Sequence, residues 1–166
     1  MAATVVPTSE APTAMLRTEA DLPLVGLGDG SRLRLLNADL AQGVWTIFME
    51  FPPGTTLQTH YHTGHVHAFT RSGSWWYLES PDAVNVAGSY LFEPAGSKHT
   101  LHVPDSNDEP TEVWFSIHGA NLNLDADGNV TSVLDAAAIS QAYRMLCEVQ
   151  HGLSDPPVVV IQAPRP

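Results

Sequence analysis

The chain has 166 residues, 43% of them hydrophobic, with 18 acidic against 7 basic side chains and a formal net charge of −11. That length suits one domain with a core of its own. The charge argues against nucleic acid or an anionic membrane surface as partner, since both would repel the chain. The single cysteine, Cys147, cannot form an intrachain disulfide. Residues 1–14 lack the basic and apolar segments of a secretory signal, and no apolar run approaches transmembrane length. A cytoplasmic soluble protein is the expectation.

Residues 1–15 are rich in Ala, Thr, Pro and Val without periodicity, which predicts a flexible tail or an arm that pairs with a neighbour. A single domain over 16–166 follows. Gly28-Asp29-Gly30 signals a turn, and strands are expected over Leu33–Asn37 and Gln42–Phe51. In the second of these, Trp45, Ile47, Met49 and Phe51 share one face. Phe48 and Glu50 point the other way.

Pro52-Pro53-Gly54 breaks that strand, and the next is expected to run from Leu57 through the histidine cluster to Thr70. Arg71–Ser74 reads as a hairpin turn, with Trp75–Glu79 returning. Further strands are expected over Val84–Val86, Ser89–Glu93, His99–Val103 and Glu112–His118. Short strands at this spacing, divided by Gly and Pro, indicate a sandwich or barrel. Asp125-Ala126-Asp127-Gly128-Asn129 lacks the spacing of a calcium loop and reads as a hairpin tip. From Asp135 the period becomes helical, giving a helix at about 135–150 whose inner face carries Ile139, Ala142, Tyr143, Leu146 and Val149. Asp135 or Ser132 would cap its start and Gly152 its end. Cys147 on this helix is expected to be buried. The Pro-rich end encloses Val158–Ile161, a run suited to packing on the barrel or on a partner subunit.

The chemistry concentrates in Thr59–His67 and Gly88–His99. Alternation along a strand puts His60 and His62 on one side. His99 follows the turn formers Pro94 and Gly96. Three imidazoles so placed make a facial metal site with open positions opposite, suited to metal-assisted chemistry on a small molecule. Glu93 is a candidate base or an acceptor from a ligand imidazole, against the alternative of a rim carboxylate. Tyr77 is a candidate for orienting substrate or oxygen, against plain core packing. His67 should face away from His60 and His62, and His65 stands two residues before it. Both read as loop or outer-face residues, with metal ligation the alternative. Of Trp114 and Phe115, one should line the pocket and the other the surface.

Gly54 followed after five residues by His60-Tyr61-His62 resembles the first cupin motif. Gly88, then Pro94-Ala95-Gly96 and His99, resembles the second, although Val103 stands where Asn is usual. The resemblance implies an all-β double-stranded β-helix, the jelly-roll barrel, with a C-terminal α-helix added. The usual first motif carries a Glu ligand at the position occupied by Val66. The shell implied is therefore three histidines: His60, His62 and His99.

His60-Tyr61-His62-Thr63-Gly64, Val66-His67-Ala68, Tyr77-Leu78-Glu79, Phe92–Ser97 and His99–Pro104 together look like the 2,4′-dihydroxyacetophenone dioxygenase family. The run Gly119–Asp125 fits it too, and acetylacetone-cleaving dioxygenase is similar more distantly. The resemblance implies an Fe(II) enzyme that uses O₂ to cleave a carbon–carbon bond beside a ketone in a small carbonyl substrate. It also implies a homodimer or higher homo-oligomer. Imidazoles alone do not select iron, and Zn or Ni would fit the same donors. The alternatives are a metal-binding sensor like the cupin domain of anti-sigma factors, or a non-redox metal isomerase or hydrolase.

Overall fold

The computed structural model describes residues 14–162. The arm expected over 1–15 thus lies, apart from its last two residues, outside the described residues. In chain order the elements are β1 (Val25–Gly26), β2 (Arg32–Asp39), β3 (Val44–Phe51), β4 (His60–His62), β5 (Val66–Ser72) and β6 (Ser74–Tyr77). There follow β7 (Asn85–Val86), β8 (Tyr90–Glu93), β9 (Lys98–His99), β10 (Leu101–His102), β11 (Thr111–His118), β12 (Asn121–Leu124) and β13 (Val130–Leu134). Helix α1 (Ala136–His151) and strand β14 (Val159–Ile161) complete the fold.

One large sheet has the order β1-β2-β3-β11-β5-β8, with β14 added on β2. Two smaller sheets, β10-β6-β7 and β13-β12-β4-β9, supply the remaining strands. Neighbours such as β3 and β11, or β5 and β8, are distant in sequence yet antiparallel in space, the crossing pattern of a jelly roll. The all-β architecture with one C-terminal helix matches expectation. Among the described residues, no helix is long and apolar enough to cross a membrane.

The alternation predicted for β3 holds. Trp45, Ile47, Met49 and Phe51 are buried and join the interior cluster with Val66, Trp75, Leu101 and Phe115. On the opposite face Phe48 is also buried, in an edge-to-face pair with Trp114 and near the guanidinium groups of Arg34 and Arg71. The strand is thus covered on both sides.

The long strand expected over Leu57–Thr70 is instead divided. Thr63, Gly64 and His65 form a break, after which the chain passes from β4 in a small sheet to β5 in the large one. Gly64 permits the crossing, because a Cβ there would stand 2.2 Å from the carbonyl oxygen of His118.

Helix α1 begins with the Asp135 carboxylate accepting from the Ala138 N–H at 2.8 Å, and Gly152 closes it with φ 67°. Ile139 and Tyr143 of the expected inner face are buried and Leu146 packs against the core, but the buried stripe turns toward Ala136, Ser140 and Cys147. Ala136, Ile139, Ser140, Tyr143 and Cys147 are buried, whereas Val149 is 76% exposed. The Tyr143 hydroxyl donates to the Pro23 carbonyl at 2.6 Å and ties the helix to the segment before β1. A buried Ile such as Ile139 contributes about 1.5–3 kcal/mol to that docking. The Val158–Ile161 run lies on the barrel, with Val159–Ile161 parallel to Asn37–Asp39 of β2.

Candidate metal centre

The pairing of β4 with β9 sets His60 directly opposite His99. His62, two residues along, falls on the same face, and its backbone N–H donates to the Ser97 carbonyl at 3.0 Å. Alternation and one cross-strand pair therefore bring the imidazoles together. The ring centroids lie 4.9 Å (His60–His62), 4.7 Å (His60–His99) and 5.1 Å (His62–His99) apart. A ligand nitrogen from each falls within 4.8 Å of the others, and all three residues are buried. His60 Nδ1 lies 3.0 Å from the Gln58 carbonyl oxygen, a contact that orients the ring and leaves Nε2 for a ligand role.

Glu93 reaches the same point from β8. It is 3% exposed, and its Oε2 lies 3.2 Å from both His62 Nε2 and His99 Nε2. Neither contact has hydrogen-bond geometry, so Glu93 Oε2 and His99 Nε2 are buried with no hydrogen-bond partner. A buried carboxylate oxygen and a buried imidazole nitrogen left without hydrogen-bond partners are groups that a bound cation would satisfy. The donor set fits a divalent transition metal.

The electrostatics favour neutral ligands. Burial lowers the pKa of His62 to about 4, against the opposing pull of Glu93. Burial lowers that of His60 as well. Neutral imidazole is the form that binds metal. Burial opposes ionisation of Glu93, but contacts with His99, Tyr77 and His62 outweigh it and hold the carboxyl below its ordinary range.

Tyr77 closes the arrangement. Its hydroxyl donates to Glu93 Oε1 at 2.5 Å, and its ring stacks on His99 with centroids 3.8 Å apart and planes at 10°. Burial, with the charge and hydrogen bond of Glu93, pushes the phenol pKa well above its ordinary value, so Tyr77 remains a donor. Glu79 had no assigned part in the sequence reading. Its carboxylate accepts from the Thr100 N–H and hydroxyl, each at 2.9 Å, and anchors the chain next to His99. Its position two residues after Tyr77, in the turn that follows β6, was the available signal.

A cavity of about 270 Å³ opens on His60, His62, Tyr77 and Glu93. Its apolar walls include Trp45, Ile47, Met49, Phe51, Phe115 and Ile117, while Gln58, Asn121 and Asn123 supply amides. Phe115 lines the cavity and Trp114 is exposed, so the two divide as their alternation requires. His65 and His67 lie away from the buried trio, in a second group with His118. His102 is also apart, with Nδ1 2.8 Å from the Thr56 hydroxyl. His151 approaches the Leu24 carbonyl oxygen at 2.9 Å, at the end of α1.

The family model of the ChrR cupin-like domain matches residues 12–121. No curated protein matches the sequence. Among solved structures the chain is similar to a protein with a cupin-like fold from Ralstonia eutropha JMP134, at 32% identity over 95% of this chain and 98% of that one, with TM-score 0.85. An RmlC-like cupin from the same organism is 25% identical over 91% and 96% of the two chains, with TM-score 0.81. Acetylacetone dioxygenase from Acinetobacter johnsonii shares the fold, with TM-score 0.70 and 18% identity over 87% of this chain and 99% of that one. With the family match and the 32% identity added to its barrel, the chain belongs to the cupins, in the family of ChrR cupin-like domains.

Proposed function

We propose that the protein is an Fe(II)-dependent dioxygenase that cleaves the carbon–carbon bond beside the ketone of a small aromatic hydroxyketone, of the 2,4′-dihydroxyacetophenone kind. One observation carries the reading. Three buried imidazoles, a buried carboxylate and a half-buried phenol converge, and His60, His62, Glu93 and Tyr77 of this group line a cavity whose other walls are mostly aliphatic, with Trp45, Phe51 and Phe115 as the aromatic members. The shared fold of acetylacetone dioxygenase supports it, as does the resemblance carried by His60–Thr70 and Phe92–Pro104.

His60, His62 and His99 would hold the metal. When bound, iron supplies a site where the substrate's oxygens chelate and electrons pass to O₂. The remaining work falls to the chain. Trp45, Phe51 and Phe115 receive the aryl ring and exclude water. Glu93 Oε2 takes the proton that leaves the substrate on enolisation, and the Tyr77 hydroxyl holds the carboxylate in position through Oε1. Asn121 and Asn123 orient the polar end of the ring. In the overall reaction the carbon–carbon bond breaks and both atoms of O₂ enter the products, giving an aryl carboxylic acid and formic acid with no other reductant. Turnover under ¹⁸O₂ tests this: one labelled oxygen in each acid supports the reading, and label in neither contradicts it.

The homo-oligomer belongs to the same proposal. The outward-facing, exposed Phe69 and Trp114 support it, and sedimentation equilibrium tests it. The match to a ChrR cupin-like domain favours a second reading, a metal sensor. Stoichiometric zinc with no oxygen uptake after iron loading would favour that reading, or a non-redox metal enzyme.

A further inference from the structure

His65, His67 and His118 form a second cluster, on the outer side of the wall whose inner side carries Val66 and Glu93. His67 follows the inward Val66 on β5 and therefore points outward, where it pairs in register with Ser116 of β11 and Phe92 of β8. His118, two residues beyond Ser116, shares that outer face. His65 comes from the break between β4 and β5.

The third member is brought in by a specific close approach. Gly64 lacks the Cβ that would strike the His118 carbonyl and its Cβ, and the His118 N–H donates to the His65 carbonyl at 3.0 Å. The His65 and His118 rings then lie with centroids 3.8 Å apart, and His67 meets His65 edge-on at 5.2 Å. A ligand nitrogen from each lies within 4.8 Å of the other two.

We propose that His65, His67 and His118 form a second transition-metal site, distinct from the buried one, for a borderline cation such as Zn(II), Ni(II) or Cu(II). Imidazole is the donor these cations share, and cysteine and carboxylate are absent from the group. The Tyr90 hydroxyl pairs with His67 Nδ1 at 2.9 Å, which fixes that ring and leaves Nε2 outward for the metal. Zn–N bonds of about 2.0–2.1 Å require the rings to draw together by rotation about their side-chain bonds. Partial exposure of all three leaves room for it. A metal here ties the 63–65 break to β11, and thereby steadies the connection that follows His62.

The test is zinc stoichiometry by mass spectrometry after equilibrium dialysis, on the full chain and two double variants. The expected result is about two equivalents for wild type and about one for each of His65→Ala/His118→Ala and His60→Ala/His99→Ala. Cu(II) bound to the latter should show nitrogen hyperfine structure that is lost when His65 and His118 are also replaced. Wild-type stoichiometry in His65→Ala/His118→Ala overturns the proposal, as does a folded His60→Ala/His99→Ala variant that binds no metal. Should that variant fail to fold, by circular dichroism, the comparison of wild type with His65→Ala/His118→Ala decides alone. Failure of the buried site looks different: His65→Ala/His118→Ala would then bind nothing.

Discussion

Glu93 stands directly across the β5–β8 ladder from Val66, and both side chains are buried. The resemblance to the first cupin motif puts a carboxylate at the position of Val66, and here a carboxylate reaches the histidines from the neighbouring strand. From there it contacts His62, His99 and Tyr77 rather than standing in the His60–His62 segment. That placement suits a proton acceptor beside the metal. Glu93→Gln keeps the shape and removes the charge. Turnover should fall by roughly 10²-fold or more while metal content at saturating loading is retained. Full turnover in this variant would exclude the proton-transfer role.

Tyr77→Phe removes the donor to a buried carboxylate and leaves the ring stacked on His99. An unpartnered buried acceptor costs about 1–3 kcal/mol, which a shift in the urea midpoint would reveal. Turnover should fall about tenfold, because Glu93 loses its restraint but not its charge. An unchanged midpoint would mean that the Tyr77–Glu93 hydrogen bond contributes nothing to stability.

His99→Ala should abolish stoichiometric metal binding at the buried centre, since His99 pairs directly with His60 and is within ligand reach of His62. Metal saturation should also stabilise the wild type, by about 2.7 kcal/mol at a hundredfold excess over Kd, and a chelator should reverse it. Calorimetric scans with and without metal measure both effects. Equal melting temperatures for loaded and stripped wild type would contradict a site built into the fold.

Gly73 joins β5 to β6 with φ 75°, and a Cβ there would lie 2.4 Å from Thr111 Oγ1 and 2.9 Å from Thr111 Cα. Gly73→Ala combines a disfavoured backbone conformation with a clash against backbone. A loss of more than about 1 kcal/mol is expected, read from chemical denaturation. The site's metal stoichiometry should survive.

Much of this was legible in the chain because the informative contacts obey short-range rules. His60-x-His62 shares a face by alternation, and the Asp125–Asn129 turn closes the β12–β13 hairpin. Asp135 and Gly152 bound the helix as their chemistry predicts. What was not legible depends on register between distant strands. Local pattern ran β4 and β5 together, because the packing of Gly64 on His118 is set by residues more than fifty positions apart. The same distance separated His118 from His65 and His67. Along α1, more than one apolar stripe containing Ile139 and Tyr143 fits a helical period, and the docked helix buries Cys147 and leaves Val149 exposed. Position alone left Glu93 open between rim and interior, and its pairing with Val66 places it inside.

The central claim is tested most directly by oxygen uptake. The protein, reconstituted anaerobically with Fe(II), is given 2,4′-dihydroxyacetophenone, and dissolved oxygen, aryl acid and formate are followed together. The account predicts equimolar consumption of oxygen and substrate with both acids formed, and loss of all three signals in His99→Ala. No uptake, with iron verified in the buried site, would contradict it and turn the search to diketones and then to chemistry without oxygen.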